Sequence, residues 1–102
     1  MRTNFKSLVK RIPSSVRITP DITYEVAWVD SFKNENTLGE TRLDTKQILI
    51  KKGLSPLETV STYLHEILHA VSEETSANLT ENQVLALEKF VCYGLKKGNI
   101  FK

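Results

Sequence analysis

The chain has 102 residues, 40% of them hydrophobic and 25% charged, with a formal net charge of +2. Those values fit one folded domain with a single small core, and they argue against disorder and against a bulk pull toward nucleic acid. The longest aliphatic run is Ile48-Leu49-Ile50 and the single cysteine is Cys92, so no membrane span and no internal disulfide are expected, and a cytoplasmic setting follows.

The chain opens with Arg2, Lys6, Lys10, Arg11 and Arg17 before its first acid, Asp21, a bias that can mimic a mitochondrial leader. The same segment carries Phe5, Leu8, Val9 and Ile12 at i, i+3, i+4, i+7. A short helix is the simpler reading, capped by Asn4, stopped by Pro13, and with its lysines on a solvated face. Val16 to Thr19 reads as a brief strand ending at Pro20-Asp21. Ile22, Tyr24, Val26 and Trp28 then alternate with Thr23, Glu25, Ala27 and Val29, which predicts a strand with one apolar face. After a polar loop over 33–36, Leu38 to Leu43 and Lys46 to Lys51 look like a hairpin or consecutive strands, turning at Asp44-Thr45, with Gly53 ending the second strand.

Ser55-Pro56-Leu57-Glu58 is a complete helix start: Ser55 as N-cap, Pro56 in the first turn and Glu58 closing a capping box. Val60, Leu64, Ile67, Leu68 and Val71 form the expected buried stripe of a helix running to about Glu74. Thr80-Glu81-Asn82-Gln83 is a second capping box, opening a helix to about Lys97. Lys96 and Lys97 suit the negative end of that helix, and Gly98 suits the position after it. Cys92 falls on its apolar side and reads as a buried free thiol. The fold class is therefore α+β: a short N-terminal helix, a small twisted sheet of three to four strands, and two closing helices.

Both histidines lie in His65-Glu66-Ile67-Leu68-His69, the pattern H-E-x-x-H. On a helix, residues four apart lie one turn above each other, so both imidazoles can bind one Zn²⁺. Glu66 beside them can reach the metal-bound water as general base. An ordinary amphipathic helix with solvated polar residues is the bland alternative. The capped helix, the preceding strand and the acidic helix that follows favour the metal site. Glu81 and Glu88 both fall within the apolar arc of the last helix. A carboxylate there costs several kcal/mol unless paired or bound to metal, so one of the two is the expected third ligand.

The stretch from Leu38 to Phe101, through Thr62-Tyr63-Leu64-His65-Glu66-Ile67-Leu68-His69-Ala70 and Leu79-Thr80-Glu81, resembles small zinc peptidases of phage and mobile elements. These are similar to ImmA/IrrE-type and SprT-like peptidases and, in size, to the minigluzincins. The resemblance implies residues 1–102 as a single zinc metallopeptidase-like domain with a reduced gluzincin core and a glutamate ligand from the next helix. That points to Glu81 over Glu88, because Leu79-Thr80-Glu81 matches the helix opening. No third motif histidine or Met-turn pattern follows, which argues against metzincins.

Two functions of different class are expected from this. The first is a zinc-dependent metalloendopeptidase that hydrolyses a peptide or protein substrate, with Zn²⁺ on His65, His69 and Glu81 and with Glu66 as general base. Substrate would pair with a sheet edge, and Tyr63, Tyr24 or Tyr93 would be the candidates for holding the oxyanion. The second is a non-catalytic regulatory or protein- or nucleic-acid-binding module, acting by protein contact or through the basic N-terminal face, with a degenerate site or a structural zinc closed by four ligands, Cys92 or a carboxylate being the fourth. For the first, no nucleic-acid or membrane partner is expected.

Overall fold

The computed structural model describes residues 4–97. Arg2, Gly98 and Phe101, and the side chains of Lys96 and Lys97, lie outside the described residues, and the expected C-terminal glycine cap and lysine–dipole match fall there with them. In chain order the elements are α1 (Phe5–Lys10), β1 (Ser15–Thr19), β2 (Ile22–Val29), β3 (Gly39–Arg42), β4 (Gln47–Lys51), α2 (Pro56–Glu74) and α3 (Glu81–Lys97). The class is α+β, and the sheet has four strands in the order β1-β2-β4-β3.

Local chemistry fixes the element ends. The Asn4 side chain accepts from the Lys6 N–H at the start of α1, and Ser55 and Glu58 complete the capping box of α2. At α3 the Thr80 hydroxyl accepts from the Gln83 N–H at 3.1 Å, while the Gln83 side chain accepts from the Thr80 N–H at 2.8 Å. Gly53, after β4, has φ +82°, a backbone state that glycine enters without steric cost.

β1 and β2 form a tight antiparallel hairpin with Thr19 opposite Ile22. β2 then pairs in parallel with β4, and β3 pairs antiparallel with β4 from the outside. β4 thus becomes an inner strand, with Ile48, Leu49 and Ile50 all buried. A continuous apolar run is what a strand covered on both faces needs. β3, placed last in the sheet, keeps one open edge.

Tyr24, Val26, Ile48, Ile50 and Ala70 make the core, flanked by Ile12, Val16, Ile18, Ile22, Tyr63 and Ile67. Two expectations are corrected here. Trp28, the last residue of the alternating face of β2, remains 37% exposed where the strand leaves the core. In α2 the buried positions are Thr59, Val60, Thr62, Glu66, Ala70 and Ser72, while Leu64, Ile67, Leu68 and Val71 are only half-buried. Thr62, Glu66 and Ala70 meet the sheet and Ile67 flanks the same core, whereas Leu64 turns to α1 and α3 beside Leu8, Ile12 and Leu95. Among the described residues no helix is long and apolar enough to cross a membrane.

A three-residue network ties the β3–β4 turn to the end of α2. The buried Tyr24 hydroxyl donates to Glu74 at 2.6 Å, and Lys46, in a left-handed backbone state at φ 56°, pairs with the same carboxylate. Those two partners hold the Glu74 carboxyl below its ordinary range, Lys46 contributing most.

Candidate metal centre

His65 and His69 stand one turn apart on α2, and their Nε2 atoms converge to 3.1 Å. Both are half-buried, at the boundary between core and cleft. Glu81, in the first turn of α3, reaches over the pair: Oε1 lies 2.9 Å from His65 Nε2 and Oε2 lies 3.2 Å from His69 Nε2. The connection between the helices makes this possible. Ser76 and Asn78 adopt positive φ, and the buried Ser72 hydroxyl accepts from the Leu79 N–H at 2.8 Å, turning the chain back over α2. Asparagine tolerates that left-handed state better than most residues.

Glu88 does something different. Its Oε1 lies 3.0 Å from His65 Nδ1, and its Oε2 accepts from the Ser61 hydroxyl. An ionised carboxylate only accepts, so the proton of His65 belongs on Nδ1, which leaves Nε2 as a lone pair facing the centre. A carboxylate behind a ligating histidine fixes its tautomer and ring orientation. The sequence places both glutamates on the apolar arc of α3. The structure keeps Glu88 there, with its side chain 12% exposed, but lifts Glu81 to 59% exposure above the histidines.

Among the described residues, His65, His69 and Glu81 are the group that offers three ligand atoms to one point. The lone pair of His65 Nε2 and the Glu81 carboxylate both face inward, and His69 Nε2 joins them as an acceptor when its own proton sits on Nδ1, so a cation at that point would be bound by all three. The separations of 2.9, 3.1 and 3.2 Å also compare well with the edges of a zinc tetrahedron, about 3.3 Å for bonds of about 2.0–2.1 Å. The donor set fits the metal.

Glu66 lies beside this triangle and is buried. Its Oε1 is 2.7 Å from the Thr41 hydroxyl of β3, which is also 2.9 Å from the Glu66 backbone carbonyl. Burial pushes the Glu66 carboxyl up, while the Thr41 hydroxyl and the nearby histidines pull it back. Sequence reasoning missed Thr41, since nothing local marks a strand threonine as the partner of a helix glutamate 25 residues on. It also missed Gly39, although a glycine inside a strand pattern is a signal of close backbone approach. A Cβ at Gly39 would stand 2.5 Å from Thr62 Cγ2 and 3.1 Å from the Glu66 side chain. Gly39→Ala should therefore cost about 1–3 kcal/mol in urea unfolding, the usual range for overpacking. Adding Thr62→Ser, which removes the clashing methyl, should recover most of the loss; no recovery would locate the strain elsewhere.

Two cavities flank Glu66. One, of about 300 Å³, lies on the His65 side against Thr37, Gly39, Ser61 and Glu88. The other, of about 480 Å³, lies on the His69 side against Thr41, Leu43, Ser72 and Glu73. None of the three candidate tyrosines borders either one. Tyr24 is a core residue bonded to Glu74, Tyr63 lines an apolar groove beside α1, and Tyr93 is exposed on α3. Cys92 is half-buried rather than buried, and burial together with Glu88 pushes its thiol up. No protein-family model matches the chain, nor does any curated protein or solved structure, so what the centre does is read from its own geometry.

Proposed function

We propose that this chain is a zinc-dependent metallopeptidase that binds Zn²⁺ through His65, His69 and Glu81 and uses Glu66 as general base. The observation that carries the reading is the convergence of those three ligand groups beside a buried carboxylate, with open cavities on both sides. Zn²⁺ held there supplies Lewis-acid chemistry, lowering the pKa of a water toward neutrality and polarising a carbonyl. The motif and the Leu79-Thr80-Glu81 helix opening, with their resemblance to small gluzincin-like peptidases, support the same assignment.

The chain's own residues do the rest. Glu88 and Ser61 fix the His65 ring with Nε2 toward the centre. Thr41 holds one oxygen of Glu66 and leaves the other free to take a proton from water and return it to the leaving amine. Lys51 N–H donates to the Leu38 carbonyl, so the alternation of an antiparallel ladder points the N–H and C=O of Gly39 and Thr41 away from β4. An extended peptide can pair with them, which would lay its backbone along Glu66. Cys92 is not among the groups that meet at the centre, which favours an open catalytic position over a site closed by four protein ligands. A cytoplasmic setting belongs to the same proposal, since Cys92 has no second cysteine to pair with.

The test is metal analysis of the purified protein together with mass-spectrometric cleavage of a peptide mixture. About one Zn²⁺ per chain and hydrolysis abolished by a chelator are the expected results. Zinc without any hydrolysis would favour a non-catalytic module instead. Metal removal should leave a folded protein, because the Tyr24, Val26, Ile48, Ile50 and Ala70 core does not include the ligands. At free zinc 100-fold above Kd the stabilisation is about 2.7 kcal/mol, or a rise in Tm of about 10–20 °C for a chain of this size. A random-coil circular dichroism spectrum after chelation would make the metal structural.

A further inference from the structure

Resting on the peptidase reading, we propose that Glu73 makes the cavity on the His69 side a selectivity pocket for a lysine or arginine side chain of the substrate. Glu73 lies one turn beyond His69 on α2, on the same face as both histidines, and its exposed side chain lines the 480 Å³ cavity that also touches Glu66 and His69. Among the described residues no cation pairs with it. The nearest candidates are engaged elsewhere: Lys46 is bound to Glu74 and Arg42 to Glu40. Leu43 and Leu79 provide apolar wall for an aliphatic stem, and Asn78 adds a neutral polar rim. An apolar wall with a carboxylate at its mouth suits a long side chain that carries its charge at the tip. The cavity on the His65 side differs, since its carboxylate, Glu88, is already taken by His65 and Ser61.

The course of β3 says which substrate residue reaches Glu73. β3 runs from Gly39, at the His65-side cavity, to Thr41, at the His69-side cavity. Antiparallel pairing is the more stable register for an added strand. A substrate so paired runs the other way, placing the residues before the scissile bond on the His69 side. Cleavage after a basic residue is the consequence.

Two measurements on the zinc-loaded full chain decide the matter. In the first, a peptide library is digested and the cut sites are read by mass spectrometry. Lysine or arginine before the cut should be favoured about fivefold over leucine, the scale of a partly exposed ion pair. Glu73→Lys should reverse the preference toward aspartate and glutamate, a change that misfolding cannot imitate. In the second, acetyl-lysine methylamide and its neutral analogue acetyl-norleucine methylamide are titrated against the protein by NMR. The lysine compound should bind about fivefold more tightly, and Glu73→Gln should remove the difference. Equal binding of the two amides, or cut sites indifferent to charge, would overturn the pocket assignment. Selective binding of the lysine amide with an uncut library would uphold the pocket and overturn the peptidase reading, so the two failures are distinct.

Discussion

Glu66→Gln is expected to keep about one Zn²⁺ per chain while peptide hydrolysis falls by about two to four orders of magnitude, the range for loss of a general base. Glu66 does not belong to the group whose ligand atoms meet at one point, and its Oε1 is committed to Thr41. Glutamine preserves shape and can still accept from the Thr41 hydroxyl, but it cannot take a proton at neutral pH. Stopped-flow or end-point cleavage of the best library peptide, beside metal analysis of the same preparation, separates the two roles. A variant that lost its zinc would make Glu66 a ligand, and a variant with full activity would remove it from the chemistry. Thr41→Val gives an independent check on positioning. It removes the hydroxyl from β3 and should lower kcat while leaving metal content intact, because Thr41 touches the base and none of the ligands.

The common face of the two histidines and the approach of a glutamate from the last helix were legible in the sequence, whereas the contacts made by the strands were not. The spacing of His65 and His69 fixes their common face whatever surrounds them, and two capping boxes set where α2 and α3 begin. Period two named β2 to its ends. The stripe of α2 misled for a physical reason: hydrophobic periodicity reports the face with large residues, yet Thr62, Glu66 and Ala70 are the buried positions that meet the strands. Small and polar residues permit that approach, and Gly39 completes it from the strand side. Strand order is likewise a property of the whole fold. The hairpin of β3 and β4 could be read from its turn, but not that β4 would insert beside β2 and leave β3 as the edge next to the histidines. The division of labour between Glu81 and Glu88 also depends on how α3 is laid against α2, which no local pattern encodes.

That division leads to the largest expected change in metal affinity. Glu81→Gln should weaken zinc binding by more than about 100-fold, whereas Glu88→Gln should weaken it by only about tenfold, the low end for a residue that orients a ligand. The difference follows from which nitrogen each glutamate meets. Glu81 faces the Nε2 atoms of both histidines, while Glu88 faces only Nδ1 of His65, on the far side of the ring. Seven residues of helix, about 10.5 Å of rise, separate the two along α3, so they cannot exchange roles by a rotamer change. A glutamine at 88 can still accept from the His65 Nδ1–H through its amide oxygen and keep the tautomer, which is why its cost is small. Glu88→Ala leaves that N–H and the Ser61 hydroxyl without an acceptor and should approach the 100-fold end. Competition with a chromophoric zinc chelator at fixed pH measures all three, since protons compete with the metal for the same histidines. The order Glu81→Gln, then Glu88→Ala, then Glu88→Gln is the expected ranking. If Glu88→Gln proved the most damaging, the ligand role would pass to Glu88, and α3 would have to slide by roughly two turns against α2 to deliver it.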